Sequence, residues 1–138
     1  MATYLADTSA LTRQSTRPEV RSVIEPLLLA GRIATCGIVD LELLYGAASK
    51  RAYRELADAL QGMPRVPTNE DAFDRALVVQ GLLAEKSQHR AVPLPDLVIA
   101  AAAEIQNLIV LHYDADYDRV AKVTGQPTQW VVPRGSVS

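Results

Sequence analysis

Five carboxylates occupy positions from which they could act together: Asp7, Glu42, Asp96, Asp114 and Asp116. Asp7 ends the short β-prone segment Thr3 to Ala6, and Asp114 and Asp116 follow the apolar segment Leu108 to Leu111. Asp96 heads the apolar run Leu97 to Ala103, and Glu42 lies one to two turns into the helix after Arg32 to Cys36. Each also has an ordinary reading. Asp7, Asp96 and either of Asp114 and Asp116 are fair helix caps, and Glu42 is an ordinary helix residue, though Leu41, Leu43 and Leu44 give it a largely buried setting. It is their joint occurrence that points to chemistry. Two carboxylates ~6 Å apart repel by about 3 kcal/mol at an effective dielectric of 20. Four or five together raise one another's pKa values or recruit a cation. All-oxygen donors without clustered Cys or His favour a hard ion, Mg²⁺ or Mn²⁺. Such an ion suits phosphodiester chemistry, where it activates water and steadies the leaving oxygen.

The elements that must position these residues read as strands alternating with helices. Strand candidates are Thr3 to Ala6, Arg32 to Cys36, Met63 to Val66, Leu108 to Leu111 and Gln129 to Val132. Between the first two lie a brief turn, Ala10 to Gln14, and a helix opened by Pro18 and closed by Gly31, with Pro26 expected to kink it. Helices follow Gly37, span Lys50 to Leu60, and run from a Thr68 or Asn69 cap to Gln88. His89 to Pro95 reads as a loop, and Asp96 opens a helix apolar nearly all round, hence central. A last helix runs to Val123 and closes at Gly125. Long crossovers mean a mostly parallel sheet covered on both faces, with ligands bound beyond the carboxyl ends of its strands. Residues 1–132 are expected as one domain and 133–138 as a flexible tail.

The chain has 138 residues, 49% hydrophobic and 22% charged, ordinary values for one globular domain. A single cysteine, Cys36, excludes an internal disulfide and a multi-cysteine zinc site. The N-terminus lacks a secretory pattern, and no apolar run approaches a bilayer span, so the cytoplasm is the expected location, with no membrane partner. Net charge is −2, but setting the five clustered acids aside leaves fourteen bases against eleven acids. The rest of the surface is therefore weakly basic and compatible with nucleic acid.

The ordered pieces Leu5-Ala6-Asp7-Thr8-Ser9, Asp40-Leu41-Glu42 with Gly46, Pro95-Asp96-Leu97-Val98-Ile99-Ala100-Ala101 and Leu111-His112-Tyr113-Asp114-Ala115-Asp116-Tyr117 resemble the PIN-domain proteins, specifically the VapC-like toxins of type II toxin–antitoxin pairs. The resemblance covers essentially the whole chain. It departs at His112-Tyr113, where many relatives carry Thr two residues before the Asp, and at Tyr117, where Phe is usual. It implies an α/β fold, a three-layer α/β/α sandwich with a small parallel sheet ordered 3-2-1-4-5 and about seven helices. It implies a Mg²⁺- or Mn²⁺-dependent endoribonuclease in which Asp7, Glu42, Asp96 and Asp114 form the acidic site, with Asp116 as fifth member. Thr8 and Ser9 would orient Asp7 or bind water. The implied cut is water attack on a phosphodiester, leaving a 5′-phosphate and a 3′-hydroxyl, so RNA preference comes from binding. The implied partners are an RNA substrate and a cognate antitoxin, in a homodimer or a toxin–antitoxin hetero-oligomer. Leu11, Leu29, Leu44 and Tyr45 are candidates for the antitoxin groove, or equally for core.

Basic candidates for RNA backbone are Arg13, Arg17, Lys50, Arg51, Lys86 and Arg90. Arg13 lies about a helical turn past Asp7, and His89-Arg90 lies in the loop before Asp96, which favours Arg13 and Arg90. Asp40 is about 200° around the helix from Glu42, so both cannot face one ion. His112 is read as structural, Cys36 as buried, Asp118 as solvent-facing, and Trp130 as a lone aromatic rather than a stacking platform. Two other functions compete. A phosphorylatable receiver needs an acidic pair after the first strand, an Asp after the third and a Lys after the fifth. Here Asp7 stands alone, Val66-Pro67-Thr68 follows the third strand, and no Lys follows the fifth. A catalytically silent PIN-fold binding module differs from the enzyme only in activity.

Overall fold

In a computed structural model describing residues 1–138, the elements in chain order are β1 (Tyr4–Ala6), α1 (Thr8–Leu11), α2 (Pro18–Leu29), β2 (Ile33–Cys36), α3 (Gly37–Tyr45), α4 (Lys50–Gln61), β3 (Arg65–Val66), α5 (Glu70–Ala84), α6 (Leu94–Ile105), β4 (Ile109–His112), α7 (Asp116–Thr124) and β5 (Thr128–Trp130). A short 3-10 turn, Thr12–Ser15, joins α1 to α2. The strands form one sheet in the order β3-β2-β1-β4-β5, every pairing parallel, as the alternation of strand and helix predicts. β1 is the central strand: Leu5 pairs with Ala34 on one side and Val110 on the other. Burial on both faces explains why β1, β2 and β4 read as apolar runs rather than alternating ones.

Local chemistry sets most boundaries. Ser49 caps α4 and Asn69 caps α5, each side chain accepting the N–H of Ala52 or Ala72 respectively. α5 ends at Ala84, earlier than Gln88, because Ser87 turns to φ 57° and Gln88 N–H bonds back to the Leu83 carbonyl. α2 runs unbroken past Pro26, which is exposed, so the missing N–H lies on the solvent side. α6 starts at Leu94, with Pro93 as its cap and Pro95 in its first turn, two residues before the expected Asp96. It is buried from Asp96 through Ala103, and its four consecutive alanines let it lie close under the sheet. β5 is Thr128–Trp130 rather than Gln129 to Val132, although Val131 and Val132 remain buried. Residues 133–138, expected as a frayed tail, fold back on the sheet edge: the Tyr113 hydroxyl donates to the Val137 carbonyl at 2.6 Å and accepts from the Gly135 and Val137 amides at 2.9 and 3.2 Å.

One continuous core joins β1, β2, β4, α6 and parts of α5 and α7. Its packing holds the carboxyl ends of β1 and β4 level, which is what brings Asp7 near Asp114. Ile99 is fully buried in that core. Ile99→Ala is expected to destabilise the protein by about 2–5 kcal/mol in urea titrations; a loss below ~1 kcal/mol would mean that α6 packs more loosely than described.

Candidate metal centre

β1 carries Asp7 to the sheet edge, where it caps α1. Its Oδ2 accepts from the Ser9 amide at 3.0 Å and the Ser9 hydroxyl at 2.6 Å. Its Oδ1 accepts from the Tyr117 hydroxyl at 2.7 Å. Tyr117 is fully buried, and burial, then the charge of Asp7, pushes its phenol well above the usual range, so it remains a donor. Both oxygens of Asp7 are thus fixed in direction. The Ser9 hydroxyl also accepts from the Tyr113 amide at 2.9 Å, tying α1 to the segment after β4.

That segment supplies Asp114 and Asp116. Asp114 Oδ1 accepts the Asp116 amide at 2.9 Å, a local turn that starts α7. The first turn of α6 supplies Asp96, which is only 9% exposed. Because α6 begins at Leu94, Asp96 is not its cap, and no helix amide satisfies its carboxylate. Its Oδ2 is buried without any hydrogen-bond partner. Burial first, then the charges of Asp7, Asp114, Asp116 and Glu42, push its pKa up to about 8. Asp116 is raised too, by burial and then by Asp114. One ligand oxygen each from Asp96, Asp114 and Asp116 lie within 4.8 Å of one another. An all-carboxylate trio with one orphaned buried oxygen fits a hard divalent cation.

The five residues singled out in the sequence therefore divide. Asp96, Asp114 and Asp116 converge, and Asp7 lies beside them with its oxygens engaged. Glu42 stands at the rim, exposed rather than largely buried, and accepts from the Thr8 hydroxyl at 2.9 Å. Thr8 and Ser9 thus hold Glu42 and Asp7 respectively. Arg13 is half-buried, donating to the Ser9 carbonyl at 2.7 Å, whereas Arg90 is exposed and makes no hydrogen bond or ion pair. Asp40 faces away and pairs with Arg65 at 2.6 Å. Cys36 is buried, its thiol pushed up by desolvation. His112 is buried and neutral: burial lowers its pKa, and its Nδ1 accepts the Asp114 amide at 3.1 Å. Of the apolar groove candidates, Leu11 belongs to the core and Leu44 is half-buried, while Leu29 and Tyr45 are 84% and 94% exposed.

Three side chains escaped the sequence reading. Tyr117 was visible only as a departure from Phe, and its hydroxyl is what reaches Asp7. Asp118, read as solvent-facing, is half-buried and accepts from Trp130 Nε1 at 3.2 Å. Trp130 is not a lone aromatic, since its ring meets Tyr113 edge-on at 5.2 Å and His112 at 5.0 Å.

Known proteins bear on this geometry. The profile of the PIN domain family matches residues 4–123. The chain is similar to Ribonuclease VapC18 of Mycobacterium tuberculosis, 48% identical over 136 residues, which are 97% of this chain and 98% of that protein. In fold it is similar to DNA-bound VapBC from Salmonella typhimurium, with TM-score 0.73 and 21% identity over 96% of this chain and 100% of that one. It is similar too to a toxin–antitoxin complex from Klebsiella pneumoniae, with TM-score 0.73 and 21% identity over 94% of this chain and 98% of that one. The sheet order 3-2-1-4-5 with seven helices matches the three-layer PIN fold expected from the sequence. No helix is long and apolar enough to cross a membrane.

The raised pKa of Asp96 has a measurable sign. In the metal-free protein Asp96 keeps its proton up to about pH 8, but unfolded it ionises near its ordinary value of 3.8. The native state thus binds the extra proton, and stability falls as pH rises through that window, by at most about 1.4 kcal/mol per unit. His112, kept neutral by burial, contributes the opposite slope up to its ordinary value of 6.5. Between pH 6.5 and 8 in chelator, the melting temperature is expected to fall, and Asp96→Asn to flatten the fall. A rising wild-type midpoint over that range contradicts the assignment.

Proposed function

This chain belongs to the PIN domain family, and on that premise we propose that it is a Mg²⁺- or Mn²⁺-dependent endoribonuclease, the toxin of a toxin–antitoxin pair. The observation that carries the reading is the buried, unpartnered Oδ2 of Asp96, facing carboxylates from a second chain segment. Without a cation such a site is electrostatically unfavourable, and the donor chemistry suits a hard ion together with a substrate phosphate. The relative at 48% identity is itself named a ribonuclease.

In this reading Asp96, Asp114 and Asp116 hold the ion, with Asp7 and Glu42 completing the acidic set. The bound ion would supply charge neutralisation, a lower pKa for water and stabilisation of the leaving oxygen. Ser9 and Tyr117 keep Asp7 oriented, so the carboxylate needs no rearrangement when substrate arrives. Thr8 holds Glu42 at the solvent-facing rim, where it meets incoming water and phosphate. His112 is buried with its Nδ1 accepting the Asp114 amide, so it offers no base to a ribose 2′-hydroxyl, and His89 is exposed on the loop before α6. Water attack of the kind the family resemblance implies would leave a 5′-phosphate and a 3′-hydroxyl. A cytoplasmic nuclease of this kind requires restraint, and we assign that to a cognate antitoxin covering the exposed Leu29, Leu41 and Tyr45 on α2 and α3.

The test compares carboxylates. Asp7→Asn and Asp96→Asn keep size; Asn caps α1 about as well as Asp7 does, and at position 96 it removes no capping bond, so both variants should fold. Each removes one charge and one hard ligand, and initial RNA cleavage in Mn²⁺ should drop by about 100-fold or more. Asp58→Asn, on the exposed face of α4, should cleave as wild type does. EDTA should abolish cleavage by wild-type protein. Activity persisting in EDTA, or near-normal rates in both folded site variants, would overturn the metal mechanism. A protein that binds RNA in Mn²⁺ but never cleaves it would instead be a silent binding module.

A further inference from the structure

Beyond the carboxylates, the sheet edge carries a second chemical pattern. Tyr113 follows β4 and Trp130 ends β5, and parallel pairing of those strands sets the two rings edge to face, 5.2 Å apart at 87°. The Arg13 guanidinium lies 4.6 Å over the Tyr113 ring. The Arg134 guanidinium lies 5.6 Å over the Trp130 ring. Arg134 reaches that position because the Tyr113 hydroxyl holds the 133–138 segment through Gly135 and Val137. The four side chains line a pocket of about 550 Å³ whose wall also includes Ser9 and Asp114, so it shares one carboxylate with the acidic set. A neighbouring pocket of about 520 Å³ shares Arg134 and adds Arg119 and Lys122, with Asp118 as its acid.

Two facts define the chemistry this track offers. Arg119, Lys122 and Arg134 make no hydrogen bond or ion pair, although Asp114 and Asp118 line the same two pockets, and Arg13 gives its Nε and one Nη to the Ser138 and Ser9 carbonyl oxygens, which leaves its other Nη free. Asp118 is turned instead to Trp130 Nε1, which fixes the indole. Unpaired cations next to fixed aromatic rings are the chemistry that grips a flexible nucleic-acid strand: guanidinium groups take phosphates, and the rings and guanidinium planes take unstacked bases. A duplex would not present such bases, and an acidic peptide would leave the aromatic pair unused.

We propose that Arg13, Tyr113, Trp130 and Arg134 form the binding site for the single-stranded RNA that flanks the cut phosphate, with a base packed on the Trp130–Arg134 pair. The site rests on the ribonuclease reading of the adjoining carboxylates, yet it is testable without cleavage. Trp130 is the sole tryptophan in the chain, so its fluorescence reports this pocket alone. Full-length Asp96→Asn protein in EDTA, which prevents turnover, is titrated with an unlabelled mixed-sequence single-stranded oligoribonucleotide. Saturable quenching of Trp130 is expected. Adding Arg13→Ala or Arg134→Ala should raise the Kd by about tenfold each and reduce the salt slope by about one. Adding Arg54→Ala, on exposed α4, should change neither. Absence of quenching, or a Kd untouched by both arginine changes, overturns the site. Anisotropy of 5′-labelled RNA that rises without quenching does so too, because the strand would then lie elsewhere. Metal-dependent cleavage by wild-type protein alongside any of those results leaves the ribonuclease reading intact and rejects only the RNA site.

Discussion

Asp96 is a carboxylate forced out of water beside other carboxylates, and the surrounding architecture is organised by that constraint. Its partners come from β1, from the segment after β4 and from α3, so no local rearrangement can separate them without disturbing the sheet. The protein treats the members unequally. Asp7 receives three hydrogen bonds that fix both its oxygens in direction, while Asp96 receives none on Oδ2 and its pKa is pushed up to about 8. Hydrogen bonds and an absence of hydrogen bonds thus divide the same residue type into an oriented carboxylate and a site awaiting a positive charge.

The scaffold that enforces this is economical in its physics. Parallel pairing requires crossovers, crossovers bury both faces, and burial demands apolar strands whose only polar groups fall at their ends. Acids can therefore collect at one edge and nowhere inside. The exception is Asp40, which enters the interior on α3 and is matched by Arg65 from β3. The two acids of α3 have opposite fates because they stand on different sides of the helix, one facing a guanidinium and one facing solvent beside Thr8.

Much of the fold was legible because periodicity and turn residues report it directly. The strand order followed from the family resemblance, and the element order from the spacing of Pro, Gly and apolar runs. Boundaries slipped where a proline acts as a helix starter, as at Pro93 to Pro95, or where a polar residue adopts positive φ, as at Ser87. The acidic residues were legible as a set because each falls at the end of an element or just past it. The exposure of Glu42 was not, since its leucine neighbours mark a helix face that the structure leaves partly uncovered, with Leu41 69% exposed. Nor was the contact of Tyr117 with Asp7, or that of Trp130 with Tyr113. Those contacts join residues far apart in the chain, and only the register of β1, β4 and β5 brings them together.

The position of β4 has a consequence for biosynthesis. It inserts between β1 and β5, and until it does, the outer edge of β1 has no partner. Asp114, Asp116 and Tyr117 all follow β4 in the chain. A ribosome that has made the first hundred or so residues has released three strands and most of the helices, but none of the groups that complete the acidic edge. A polypeptide that stops before β4 therefore lacks two of the three carboxylates that converge. The carboxylate trio can form only when translation has passed Asp116, with most of the chain already made.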